Sequence, residues 1–159
     1  SMGIYFDLTA DTVEWADTGM VYAHLILCNP TMDGLLGYEC QVDYDESNIM
    51  MGSFKVAEGG TNLADDHTHL AGWQAPITCT DATLLGTWSL FVGGPVAFYL
   101  DGLEQSSLPG GMPCVANQDN ELVQCGCSAG PGELTACIAC TGVVDSESET
   151  WGGVKSLYR

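Results

Sequence analysis

At 159 residues and 46% hydrophobic side chains, the chain can bury the core of one folded domain, which excludes intrinsic disorder. Its 21 Asp and Glu against 3 Lys and Arg give a formal net charge of −18. With no basic patch to displace counterions from phosphates, nucleic acid and anionic membrane surfaces are excluded as partners, and no apolar run reaches the roughly 18 residues of a membrane span.

The dominant hydrophobic period is two. Strands are expected at 4–8 and 21–28, both rich in β-branched and aromatic residues, with turns at Asn29-Pro30 and Asp33-Gly34. Tyr38, Cys40, Val42 and Tyr44 alternate with Glu39, Gln41 and Asp43, the pattern of a strand with one buried and one wet face. Further strands are expected at 49–56 and 70–73. Leu84, Gly86, Trp88, Leu90 and Val92 then alternate with Thr83, Thr87 and Ser89, while Leu85 and Phe91 make that strand apolar on both faces. After Gly93-Gly94-Pro95 a strand is expected at 96–100. The stretches 122–127 and 134–141 flank Ser128-Ala129-Gly130-Pro131-Gly132 and read as a hairpin. About nine short strands with turns at this spacing predict an all-β, immunoglobulin-like sandwich of two antiparallel sheets.

Composition shifts near the end, dividing the chain into a sandwich domain at 1–142, an acidic linker at 143–150 and a docking tail at 151–159. Thr150 can cap a short helix, and Trp151, Val154 and Leu157 recur at three-residue spacing. With Lys155, Tyr158 and Arg159 they form a cationic, apolar-faced segment, expected to serve self-association. The opening Ser1-Met2 reads either as the start left by a cleaved export signal or as an added dipeptide.

Cys28, Cys40, Cys79, Cys114, Cys125, Cys127, Cys137 and Cys140 make an even set in a turn-rich chain, read as disulfide staples of a secreted protein. Cys28 is expected to pair with Cys40 around Asp33-Gly34, and Cys125 with Cys137 across the terminal hairpin. Cys137-Ile138-Ala139-Cys140 has redox-motif spacing but no βαβ context, so stapling is the better reading.

Asp65-Asp66-His67-Thr68-His69 is the best candidate for chemistry. On a strand the two imidazoles of His67 and His69 share a face, and Asp65 could complete a Zn²⁺ or Cu²⁺ site; an ordinary polar turn is the plainer reading. Asp43-Tyr44-Asp45-Glu46-Ser47 begins like a calcium loop but has Asn48 and Phe54 where Gly and Glu are required. No nucleophile, phosphate-loop or cofactor motif stands out, so neither enzyme activity nor a cofactor is expected. Trp88 belongs in the core by its alternation, and Trp73 is the tryptophan best placed to stack on a sugar.

Gly3-Ile4-Tyr5-Phe6-Asp7, Gly37-Tyr38-Glu39-Cys40 and Thr150-Trp151-Gly152-Gly153-Val154-Lys155-Ser156-Leu157-Tyr158-Arg159 resemble a family of uncharacterised exported proteins of environmental bacteria. The resemblance spans most of the chain through short interior motifs. Strand order and length are more distantly similar to cohesin-like sandwiches, a likeness of fold. Neither resemblance carries catalytic residues. Three functions follow: an extracellular assembly module, such as a subunit of a surface fibre or layer joined through its termini; a carbohydrate-binding module; or an exported metal-binding protein using His67 and His69. The first accounts for most features, with other copies of the chain or another extracellular protein as partner.

Overall fold

The computed structural model describes residues 1–65 and 67–140, and in it two sheets face one another across an aromatic-rich interior. The smaller sheet holds β1 (Met2–Tyr5), β3 (Gly19–Cys28), β8 (Ala82–Val92) and β5 (Ile49–Val56), in the order β1-β3-β8-β5. The larger is built around β4 (Gly34–Tyr44). On one side β4 pairs with β7 (Thr68–Thr78), which carries β6 (Gly60–Asn62). On the other, β9 (Val96–Asp101) and β10 (Cys114–Asn117) share β4 end to end, β9 against 41–44 and β10 against 35–39. Outside these lie β11 (Leu122–Gln124), β12 (Glu133–Ile138) and the short parallel β2 (Glu14–Trp15). The expected two-sheet sandwich is what the chain forms, with twelve strands in the described residues.

Alternation drives the packing. Tyr38, Cys40 and Val42 turn inward from β4, while Val21, Ala23, Leu25 and Leu27 do so from β3. In β8 the pairing slips: Leu25 faces Gly86 but Ile26 faces Leu84, leaving Leu85 as the extra residue of a bulge. Leu85 is therefore fully buried in the main core. Leu84 instead joins Tyr5, Ile26 and Cys28 in a second apolar cluster. The expectation that Leu84 continues the Trp88 face is corrected by this bulge.

The terminal hairpin also needs correcting. β11 pairs with β10, and β12 pairs with β9 and β2. The turn that makes a hairpin is 117–121, where Asn117 Oδ1 accepts from the N–H of Asp119 and Glu121, both at 2.9 Å. The stretch 125–128 instead receives β1: Met2 N–H donates to Gly126 O and Ser128 N–H to Met2 O, tying the two sheets together along one side.

Trp88 sits at the centre. Its ring lies 4.5 Å from Phe54, 5.4 Å from His69, 5.9 Å from Phe98 and 6.5 Å from Tyr44, centroid to centroid. Gly86 makes room beside it, because a Cβ there would strike the Phe54 ring. Trp88→Ala is expected to cost about 3–5 kcal/mol in denaturant unfolding, as for other large core aromatics. Trp15→Ala, at a ring 39% exposed, is expected to cost less than about 1 kcal/mol.

Candidate interaction site

The His-x-His segment lies where β4 meets the start of β7. Asp65 Oδ1 accepts from the N–H of His67 at 2.9 Å and of Thr68 at 2.8 Å, and these bonds hold its carboxyl below the usual range. His67 Nδ1 donates to Val42 O at 3.0 Å, its ring stacks on Tyr44 at 4.4 Å, and Nε2 lies 3.6 Å from Glu46. His69 is fully buried, edge-on to Phe54 at 4.4 Å. So Asp65 serves as a turn cap, His67 braces the turn against β4, and His69 belongs to the aromatic core. Among the described residues no group of three or more His, Cys, Asp or Glu is placed to hold a metal ion. Asp66 lies outside the described residues. Asp45 likewise acts as a cap: its Oδ1 accepts from Ser47 N–H at 2.9 Å at the head of a 3₁₀ turn, Glu46–Asn48.

The cysteines stand differently from the expectation. Cys137 is bonded to Cys140, and the thiols of Cys28, Cys40, Cys79, Cys114, Cys125 and Cys127 are free. Cys40 lies six residues into β4, about 20 Å of strand from its start, too far along for Cys28 at the end of β3. Cys28 Sγ donates to Tyr5 OH at 3.4 Å instead. Cys125 cannot meet Cys137 across a hairpin, because β11 and β12 do not pair. Burial, then the neighbouring Cys125 and Cys127, pushes the Cys40 thiol well above its ordinary value. Burial likewise takes Cys125 to about 12 and Cys127 to about 11.

Trp73 is 8% exposed, with Nε1 donating to Glu58 O at 3.2 Å, so it takes a core role and offers no exposed ring for a sugar. Strand parity puts Glu39 on the wet face, yet it is only 6% exposed. The loop 102–113, which carries the chain from β9 to β10, folds over it. Ser106 Oγ donates to Oε1 at 3.0 Å, Ser107 N–H to Oε1 at 2.6 Å, and Ser107 Oγ to Oε2 at 2.7 Å. Desolvation pushes the Glu39 carboxyl up, but the Ser107 and Ser106 bonds outweigh it and hold it below the usual range. Sequence reasoning missed this clasp.

Two outer faces remain. The larger sheet shows Leu70, Tyr99, Leu122 and Leu134, each 40–49% exposed. On the smaller sheet Met20, Phe91 and Met51 lie in register across β3, β8 and β5, exposed by 54%, 40% and 72%. The tail residues Trp151, Val154, Lys155, Leu157, Tyr158 and Arg159, and the linker before them, lie outside the described residues.

No family model matches the chain, and no curated protein is significantly similar to it. The likeness is to solved structures of cohesin modules. The sixth cohesin of scaffoldin B from Acetivibrio cellulolyticus, solved in complex with a Cel5 dockerin mutant, aligns over 87% of this chain and 96% of its own at TM-score 0.57 and 11% identity. A cohesin module of a family 33 glycoside hydrolase from Clostridium perfringens covers 78% of this chain and 87% of its own at TM-score 0.52 and 9% identity. The second type II cohesin of the ScaA scaffoldin from Acetivibrio cellulolyticus covers 86% and 89% at TM-score 0.50 and 11% identity. This chain has a cohesin-like fold.

Glu39→Gln is expected to lower stability at pH 7 by about 1–3 kcal/mol, the cost of weakening a charge-assisted cluster. A carboxyl held low in the folded state stabilises above its ordinary range, and that contribution fades as pH falls through the folded value. The gap between wild type and Glu39→Gln in urea midpoints is therefore expected to close below about pH 4. A gap that persists at acid pH refutes the clasp. Separately, non-reducing peptide mapping is expected to recover the Cys137–Cys140 link and neither Cys28–Cys40 nor Cys125–Cys137.

Proposed function

We propose that the chain is an extracellular protein–protein assembly module that joins copies of itself or another exported protein, and is not an enzyme. The observation that carries this reading is the cohesin-like sandwich, because one neighbour of that fold was solved with a dockerin bound. Two further features support it. Both outer faces carry exposed apolar side chains on a strongly acidic body, a combination suited to a partner surface that is apolar and basic. The carboxyls held below their usual range, Asp7, Glu39, Asp45 and Asp65, are all engaged in holding loops and turns.

The segment 151–159 is the joining element in this proposal. Residues 1–142 contain 18 of the 21 acids, whereas 151–159 contain none, together with Lys155 and Arg159. Nine residues are too few for an isolated helix to be stable, so a segment of this length needs a surface to dock on. A head-to-tail contact of this kind propagates into a fibre unless its rotation closes a ring.

Light scattering coupled to gel filtration tests this directly. The intact chain is expected to grow in mass with concentration, and a chain lacking 150–159 is expected to stay a folded monomer. Unchanged assembly by the truncated chain, or an intact chain monomeric at high concentration, would falsify the assembly role of the segment.

A further inference from the structure

We propose that the free edge of β5, with the groove beside it, is the acceptor for the segment 151–159 of a second copy. The inference rests on the assembly reading above and gives it a binding site.

Within the described residues β5 pairs only with β8, so its other edge presents unpaired backbone groups. Edges of this kind are commonly guarded by Lys, Pro or charge. Lys55 guards the far half of β5; residues 49–53, Ile-Met-Met-Gly-Ser, carry no charge, and the register with β8 shifts between Ile49 and Met51, so the regular part of this edge starts at Met51. Met50 is 68% and Met51 72% exposed. Beside this unguarded stretch lies a groove of about 260 Å³, floored by Tyr44, Ile49, Phe54, Trp88 and Leu90. Gly52 and Ser53 line it without filling it, and Glu46 supplies a carboxylate at its rim. An added strand would satisfy the edge and drop alternate side chains into the groove.

The occupant follows from charge and from where the described body ends. Cys140 Sγ lies against Val96 O, and Asn48, the residue before β5, donates to Pro95 O at 2.8 Å. The described body therefore ends, at Cys140, at the end of the sandwich where β5 begins. The following stretch 141–150 reaches at most about 35 Å. It contains Asp145, Glu147 and Glu149, like-charged with the groove's one carboxylate, Glu46; the segment beyond offers Lys155 and Arg159 with Trp151, Val154, Leu157 and Tyr158. To pair antiparallel with its own β5, the chain must first run the strand's length, about 26 Å, using most of that reach. A neighbouring copy is under no such constraint.

The test is a photo-crosslinking residue at position 157 of the full chain, in an equal mixture of ordinary and ¹⁵N-labelled protein. Mixed-isotope links to residues 49–54 or 88–91 are expected. Links only within one isotope overturn the second-copy claim, and links to Leu70, Tyr99 or Leu134 overturn the groove while leaving tail-mediated assembly intact. If particle size does not depend on 150–159 at all, the assembly reading itself fails. In parallel, Met51→Lys is expected to raise the concentration needed for assembly roughly tenfold or more, and Leu70→Lys to leave it unchanged. Equal assembly by Met51→Lys and the wild type refutes the site.

Discussion

The indole of Trp88 is the point on which both sheets bear. Rings from four other strands meet it: Tyr44 from β4, Phe54 from β5, His69 from β7 and Phe98 from β9. No single strand of this sandwich is stable alone, so the stacking of the sheets must be fixed by side chains that reach across the gap. A large flat ring does this at low entropic cost, since it has only two side-chain torsions to freeze. The same constraint explains where the polar exception sits. His69 lies in the core because it completes the ring cluster, while His67, two residues away, reaches only the rim and braces the acid turn.

Long elements with one wet face were readable from the chain. The alternation through 38–44 and the apolar run ending at Val92 placed β4 and β8 and put Trp88 inside. What could not be read depends on partners. The bulge at Leu85 exists because β3 and β8 slip by one residue, and nothing local in Leu84-Leu85-Gly86 reports that slip. β2, β6 and β10 are two to four residues long and exist only through the strands they pair with. The hairpin assignment failed because two turn signals competed. Ser128-Ala129-Gly130-Pro131-Gly132 looked the stronger, yet Asn117 and the positive φ of 67° at Asn120 make the tighter reversal.

Among the candidate functional residues, parity failed for a single physical reason. Glu39 reads as solvent-facing, and the strand does point it away from the main core. The loop 102–113 then covers it, because β9 and β10 lie end to end along β4 and the chain between them must cross that junction. A carboxylate is well suited to the position: it accepts several N–H and O–H donors at once, which a loop without regular structure needs if its backbone is to be satisfied. Trp73 failed in the opposite sense. Its position on β7 suggested a platform, but its indole N–H found the Glu58 carbonyl and its ring joined the core beside Tyr38.

The acidic body constrains how such a module can associate. Two chains each carrying −18 repel at long range, and that repulsion decays over about 8 Å at physiological ionic strength. Carboxylates, most of them in loops and turns and none in the strands of the smaller sheet, oppose unspecific association only through that long-range repulsion, which the uncharged Ile49 to Ser53 edge does not add to. An apolar segment bearing two cations and no acid meets no such barrier, and within the screening length its charges favour the contact. In the proposed contact the net charge acts as a filter on partners, while the free energy comes from apolar burial in the groove and backbone pairing along β5. If that contact forms, the scarcity of basic residues outside 151–159 serves it, because each cation added elsewhere on the body would compete for the same Glu46 carboxylate.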